Sequence, residues 1–231
     1  MGSMAGSPPQ PLSLPEEFVL LSHRESGRVH ETKQTSYGCA AAELGELALR
    51  RALLVRPRKT RKLGIEFYGG PGEMELLAPG PTGLGWADAL VAELVQATAT
   101  ATAPKPVTAR RWLRRRGSAA LSLHRAALTE RGLLHHRPGA LFRKERYYPE
   151  RGARDALINV VRAAYDGRGP LDAHLLFLCQ LVESAQLKRD FGLTRWRHQH
   201  IDSSRVPAPR LPEDLRDTFN ALRTYVPSRE Q

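Results

Sequence analysis

With 231 residues and 25.7 kDa the chain can bury one full-sized core but not two, so one domain is expected. Its 41% hydrophobic and 26% charged residues are a globular composition, and a mean hydropathy of -0.41 with no apolar run near the ~18 residues of a span argues against an integral membrane protein. Basic residues outnumber acidic ones 35 to 24, a net charge of +11, which points to a polyanionic partner, either nucleic acid or an anionic membrane surface.

At the N-terminus, Met1-Gly2-Ser3-Met4 reads as a tag remnant, and residues 1–11 as a disordered end lacking the order of a secretory signal. A single domain is expected over 12–226, with 227–231 as a tail. Ser13-Leu14-Pro15-Glu16 has capping-box spacing, so a short helix should run through Phe18-Val19-Leu20-Leu21 and end before Gly27. The next helix is expected to open at Gly38, with Cys39, Ala42, Leu44, Leu47 and Ala48 at three-and-four spacing. Short apolar runs at 53–55, 63–68 and 74–77 then predict a small antiparallel strand unit, broken at Pro57 and by a turn at Gly69-Gly70-Pro71-Gly72.

Trp86, Leu90, Val91, Leu94 and Val95 restore helical spacing, and the alanine- and threonine-rich stretch 96–106 reads as a connection. Thr108 could cap a helix carrying Arg110, Arg111, Trp112, Arg114, Arg115 and Arg116, with a second helix after Gly117-Ser118 running to Gly132. A hairpin is expected from Leu133 to Tyr148 around a tight turn at Arg137-Pro138-Gly139. Helices follow over 151–165, 171–187 and 212–225, of which the second, almost entirely apolar from Leu175 to Val182, should be the central buried one. The fold class is therefore mainly α: a helical domain around a central buried helix, with two small β-hairpin excursions.

Arginine supplies 29 of the 35 basic residues, the skew a GC-rich bacterial genome produces. Position says more than the total, because residues 105–149 alone carry +10. Helical spacing puts Arg111 with Arg114 and Arg115 on one side, and with Arg110 these form a candidate multi-donor site for phosphate. After the hairpin turn, Leu141 and Phe142 are followed by Arg143 and Lys144, and an apolar pair ringed by cations suits a membrane-interfacial wedge or a contact with a second copy.

Signs of catalysis are few. His198 and His200 beside Asp202 lack the spacing of a metal site, and no nucleophile elbow, phosphate loop or dinucleotide fingerprint occurs, so no cofactor or metal is expected. Cys39 and Cys179 form no paired motif, which suits a reducing cytoplasm, and Cys39 reads as an inert buried thiol. A helix followed by an arginine-rich hairpin has the texture of a winged helix, making 105–149 an alternative nucleic-acid-binding segment. Against this, Ser118 to Arg125 offers mostly Ala and Leu where base-reading side chains belong.

Four blocks, in order, resemble the Golgi phosphoprotein 3 family. They are Leu14-Pro15-Glu16-Glu17-Phe18-Val19-Leu20-Leu21, the run Gly38-Cys39 through Arg50, Glu130-Arg131-Gly132-Leu133-Leu134, and Leu171-Asp172-Ala173-His174-Leu175-Leu176-Phe177-Leu178. The resemblance implies a mainly helical fold without enzymatic activity. It also implies peripheral membrane binding through phosphatidylinositol 4-phosphate and an adaptor role with protein cargo, and hence a cytoplasmic protein on an anionic phospholipid surface, able to self-associate through its hairpin. The headgroup pocket of the eukaryotic members uses a tryptophan and an arginine before the Gly-Cys block and two arginines three apart in the helix before the Glu-x-Gly block. Here Tyr37 precedes Gly38, no tryptophan lies between Gly27 and Gly38, and Ser118 and Leu121 occupy the paired-arginine positions. None of the four is carried over.

Overall fold

Helix α1 (Leu14–Ser22) begins at a closed capping box, in which the Glu16 carboxylate accepts the Ser13 N–H and hydroxyl, each at 2.8 Å. The computed structural model describes residues 11–62, 65–77, 80–99, 107–140, 144–193, 201, 206 and 211–227. After α1 come α2 (Thr32–Leu49), β1 (Leu53–Lys62), β2 (Ile65–Leu76), α3 (Gly85–Ala99), α4 (Ala109–Glu130), β3 (Leu134–Arg137), β4 (Arg146–Pro149), α5 (Arg151–Asp166), α6 (Ala173–Ser184), a 3₁₀ turn at Leu187–Arg189 and α7 (Glu213–Tyr225). The fold is mainly α, with β1–β2 and β3–β4 forming two separate antiparallel hairpins.

Helix α2 occupies the centre. It starts at Thr32 rather than Gly38, and every residue from Gly38 to Ala48 is buried against α1, α4, α6, α7 or β1. Gly38 is therefore a packing position and not a start: a Cβ there would lie 2.3 Å from Phe18 Cζ. One heptad on, a Cβ at Gly45 would lie 2.0 Å from Phe177 Cε1. Phe177 belongs to α6, which is buried from Leu176 to Val182 as its composition required, and its ring stacks on Phe219 of α7 at 4.3 Å. The central position is thus shared by α2 and α6.

Four other expectations change. Gly117 does not break a helix; α4 runs through it because that position packs on the Ser36 backbone, where a Cβ would come within 3.1 Å. Gly69-Gly70-Pro71-Gly72 is not a turn but part of β2, facing a register shift between Arg56 and Arg58. Pro57 has no N–H to give the ladder, and Gly70 and Gly72 supply the positive φ the distortion needs. The tight turn at Arg137–Gly139 is also absent, since Arg137 pairs with Arg146 and the strands are joined by residues 138–145. Helix α3 continues to Ala99, into the stretch read as a connection.

Gly45→Ala is expected to lose stability at or above the top of the usual overpacking range of about 1–3 kcal/mol. Urea unfolding measures this. If the Phe177 ring is the cause, Phe177→Leu will cost less in the Gly45→Ala background than in the parent.

Candidate functional site

The N-terminus of α4 is fixed by β2: Thr108 pairs with Glu73, and the Met74 N–H donates to the Val107 carbonyl at 3.1 Å. This sets the first turns of α4 beside those of α2 and the end of α7. A cleft of about 410 Å³ opens between them. Arg110, Arg111 and Arg114 line it from α4, Lys33 and Tyr37 from α2, and Tyr225 from α7. Its four cations are exposed, and among the described residues none has an ion-pair partner and the lining contains no acid.

The same arrangement explains why Arg115 leaves the group. It lies 4.6 Å over the Trp112 ring and 3.5 Å from Glu93 of α3. Arg116 turns further inward, its Nε and Nη2 donating to the two oxygens of fully buried Glu43 at 2.9 and 3.0 Å. His124 Nε2 lies 3.2 Å from the same carboxylate, so Glu43 ties α2 to α4 at two points. Neither partner was legible in the arginine run.

Tyr37 and Tyr225 were missed by the sequence reading. The Tyr225 hydroxyl is buried without a hydrogen-bond partner among the described residues, and burial pushes its pKa up. Such an orphan in a cleft wall is a ready contact for a ligand oxygen. Two helix N-termini add to the positive potential here, because α2 and α4 both lack acidic residues in their first turns and carry Lys33, Arg110 and Arg111 there instead.

A sequence model described as Golgi phosphoprotein 3 (GPP34) matches residues 14–222. The chain belongs to this family. No curated protein matches it. Of the positions aligned with the eukaryotic headgroup pocket, Tyr37 lines the cleft, Ser118 is exposed and Leu121 is buried. Arg111 and Arg114 precede Ser118 and Leu121 by one heptad on the same helix face, about 10 Å towards the N-terminus. That face of α4 thus carries a three-apart arginine pair nearer the helix N-terminus.

The hairpin candidates Leu141, Phe142 and Arg143 lie outside the described residues, as do His198 and His200, while Lys144 is exposed. Cys39 and Cys179 are both buried free thiols, and burial, followed by the charge of Glu43, holds the Cys39 pKa well above its usual value. No helix among the described residues is long and apolar enough to cross a membrane.

The end of α1 carries a pH-sensitive group. His23 is fully buried, and desolvation, assisted by the charges of Arg125 and Arg154, lowers its pKa to about 4 despite its bond to the Val19 carbonyl. Between pH 6.5 and 4 the unfolded chain takes up a proton that the native state refuses, so stability falls as pH drops through this window. The loss is about 3 kcal/mol from this group. Between pH 7.5 and 4.5 the unfolding free energy from urea titration should fall by about that much more in the parent than in His23→Gln.

Proposed function

We propose that this protein is a peripheral membrane adaptor that seats the phosphorylated headgroup of an anionic phospholipid in the cleft of Lys33, Arg110, Arg111 and Arg114. One observation carries the reading: four cations without carboxylate partners among the described residues line one cleft with Tyr225, whose buried hydroxyl has no hydrogen-bond partner there, at the meeting of two helix N-termini. Arginine forks offer planar donor pairs to phosphate oxygens, and each cation near an anionic surface adds about 1 kcal/mol, enough for reversible docking. Membership of the Golgi phosphoprotein 3 family supports a lipid-binding adaptor over an enzyme, with a protein cargo as the second partner. The protein would then act on the cytoplasmic face of a membrane.

The parent protein should sediment with vesicles containing phosphatidylinositol 4-phosphate or phosphatidylserine and not with phosphatidylcholine alone. Charge reversal at Arg111 and Arg114 should lower the bound fraction at least tenfold with unchanged helical circular dichroism. Equal binding by the variant sinks the cleft. A DNA mobility shift at physiological salt tests the winged-helix alternative, which gains little from the second half of α4, where the exposed residues Ser118, Ala119, Ser122, Leu123 and Ala126 include few base-reading groups.

The β3–β4 hairpin supplies the second contact in this reading. Leu141→Ser with Phe142→Ser should weaken vesicle binding or lower the assembly mass in light scattering while preserving helical content. A variant that keeps both properties removes the hairpin from the proposal.

A further inference from the structure

A second cleft, of about 470 Å³, opens where the loop between α1 and α2 meets β4, and it shares no lining residue with the first. Arg28, Arg125, Lys144 and Arg146 face it from three stretches of chain, against the single acid Glu145. That acid is tied into the wall: its Oε2 lies 3.5 Å from His136 Nε2 and accepts the Tyr147 hydroxyl at 3.4 Å.

Arg125 is half-buried without an ion pair among the described residues. Arg24 and Arg116 reach carboxylates at 2.8 and 2.9 Å, whereas among the described residues no carboxylate lies within ion-pair distance of Arg125. Its Nε donates to His23 Nε2 at 3.1 Å, and its guanidinium lies 4.6 Å over the Tyr147 ring. The His23 acceptor is fixed in turn. Its Nδ1 sits 2.7 Å from the Val19 carbonyl, which can only accept, so Nδ1 carries the proton and Nε2 presents a lone pair. The guanidinium is thus held by one edge and one face, and among the described residues its two terminal amino groups have no hydrogen-bond partner.

The walls are rigid before any ligand arrives. The Tyr147 N–H donates to the Gly27 carbonyl at 3.1 Å, and Gly27 has φ +73, with space for a Cβ only 3.0 Å from Arg146 Cβ and the Tyr148 ring. Thr32 opens α2 at this cleft, and the cap residue Glu31 makes no side-chain bond to the first turn, leaving helix N–H groups to favour an anion.

We propose that this cleft is a second anion site that takes a phosphate monoester, with Arg125 as its bidentate anchor. A tetrahedral dianion has enough acceptor oxygens for a planar fork and for the flexible cations around it, which a carboxylate lacks. The volume also admits a sugar- or glycerol-sized remainder. The ester can belong to a lipid headgroup or to a soluble metabolite; the site stands whether or not the first cleft binds membrane.

The test uses the full chain carrying the Arg111 and Arg114 charge reversals, so that the first cleft is disabled. Calorimetric titration with glycerol 3-phosphate should show one saturable site. Adding Arg125→Gln should weaken it at least tenfold, and Arg125→Lys, which keeps the charge and loses the fork, should fall between. Lys144→Gln with Arg146→Gln, both away from the core, gives a second reading should Arg125→Gln fail to fold, and it too should weaken binding severalfold. Vesicles of phosphatidic acid that bind in an Arg125-dependent way identify a lipid source, and binding of the soluble ester alone identifies a metabolite. No saturable site in the charge-reversed protein, or affinity unchanged by both Arg125→Gln and the Lys144/Arg146 pair, overturns the proposal.

Discussion

Helix α2 touches α1, α4, α6, α7 and β1 at once, and it does so through two missing side chains. Gly38 leaves room for the Phe18 ring and Gly45 for the Phe177 ring. Close packing at native density does not tolerate an added methyl at either point without moving an aromatic ring that itself has no free space. The alanines between these glycines keep the neighbouring helices near. A helix so enclosed has no surface for function along its length, so chemistry can only gather at its ends, and both clefts meet α2 in its first turns.

What α2 fixes next is the rotation of α4. Fully buried Glu43 receives Arg116 through two hydrogen bonds and faces His124 two turns further on. A carboxylate with no solvent exposure cannot give up such partners, since breaking a buried pair costs about 3–5 kcal/mol. With Arg116 and His124 held inward, helical periodicity turns Arg110, Arg111 and Arg114 towards the first cleft and Arg125 towards the second. The buried pair is thus a positioning device for exposed cations, and a stability term only secondarily.

Local signals were legible and long-range ones were not. The Ser13–Glu16 capping box, the apolar run of α6 and the spacing of α5 each involve residues within a few turns, so the sequence displays their cause directly. Gly117 shows the opposite case. Glycine is a poor helix former and reads as a break, yet the same missing Cβ allows contact with the Ser36 backbone, and only the fold decides between these. The split between Arg114 and Arg115 depends on Glu93, brought in by α3. The His23–Arg125 bond joins residues that are 102 positions apart, beyond any pattern of spacing. Thr32 was missed as a helix start because Thr32-Lys33-Gln34-Thr35 has no apolar stripe, and the packed run from Gly38 to Ala48 carries the helix through this turn.

The helix termini separate folding requirements from functional ones. At α1, α3 and α7 the first turn carries Glu16 and Glu17, Asp88, and Glu213 and Asp214; α5 and α6 are capped by Glu150 and Asp172, whose carboxylates accept first-turn N–H groups. Acid at the positive end of the dipole is worth about 0.3–1 kcal/mol, and cations there oppose it. At α4 the rule is reversed, with Arg110 and Arg111 in the first turn and no side-chain cap bond, while at α2 Lys33 follows a cap residue, Glu31, whose carboxylate makes no bond to the first turn. Helix stability alone gives no reason for first-turn cations without a bonded cap at two adjoining ends. An anion bound there would supply the charge the caps lack, so its binding free energy would add to folding free energy by mass action. Such a ligand would then stabilise the helix ends that line the clefts.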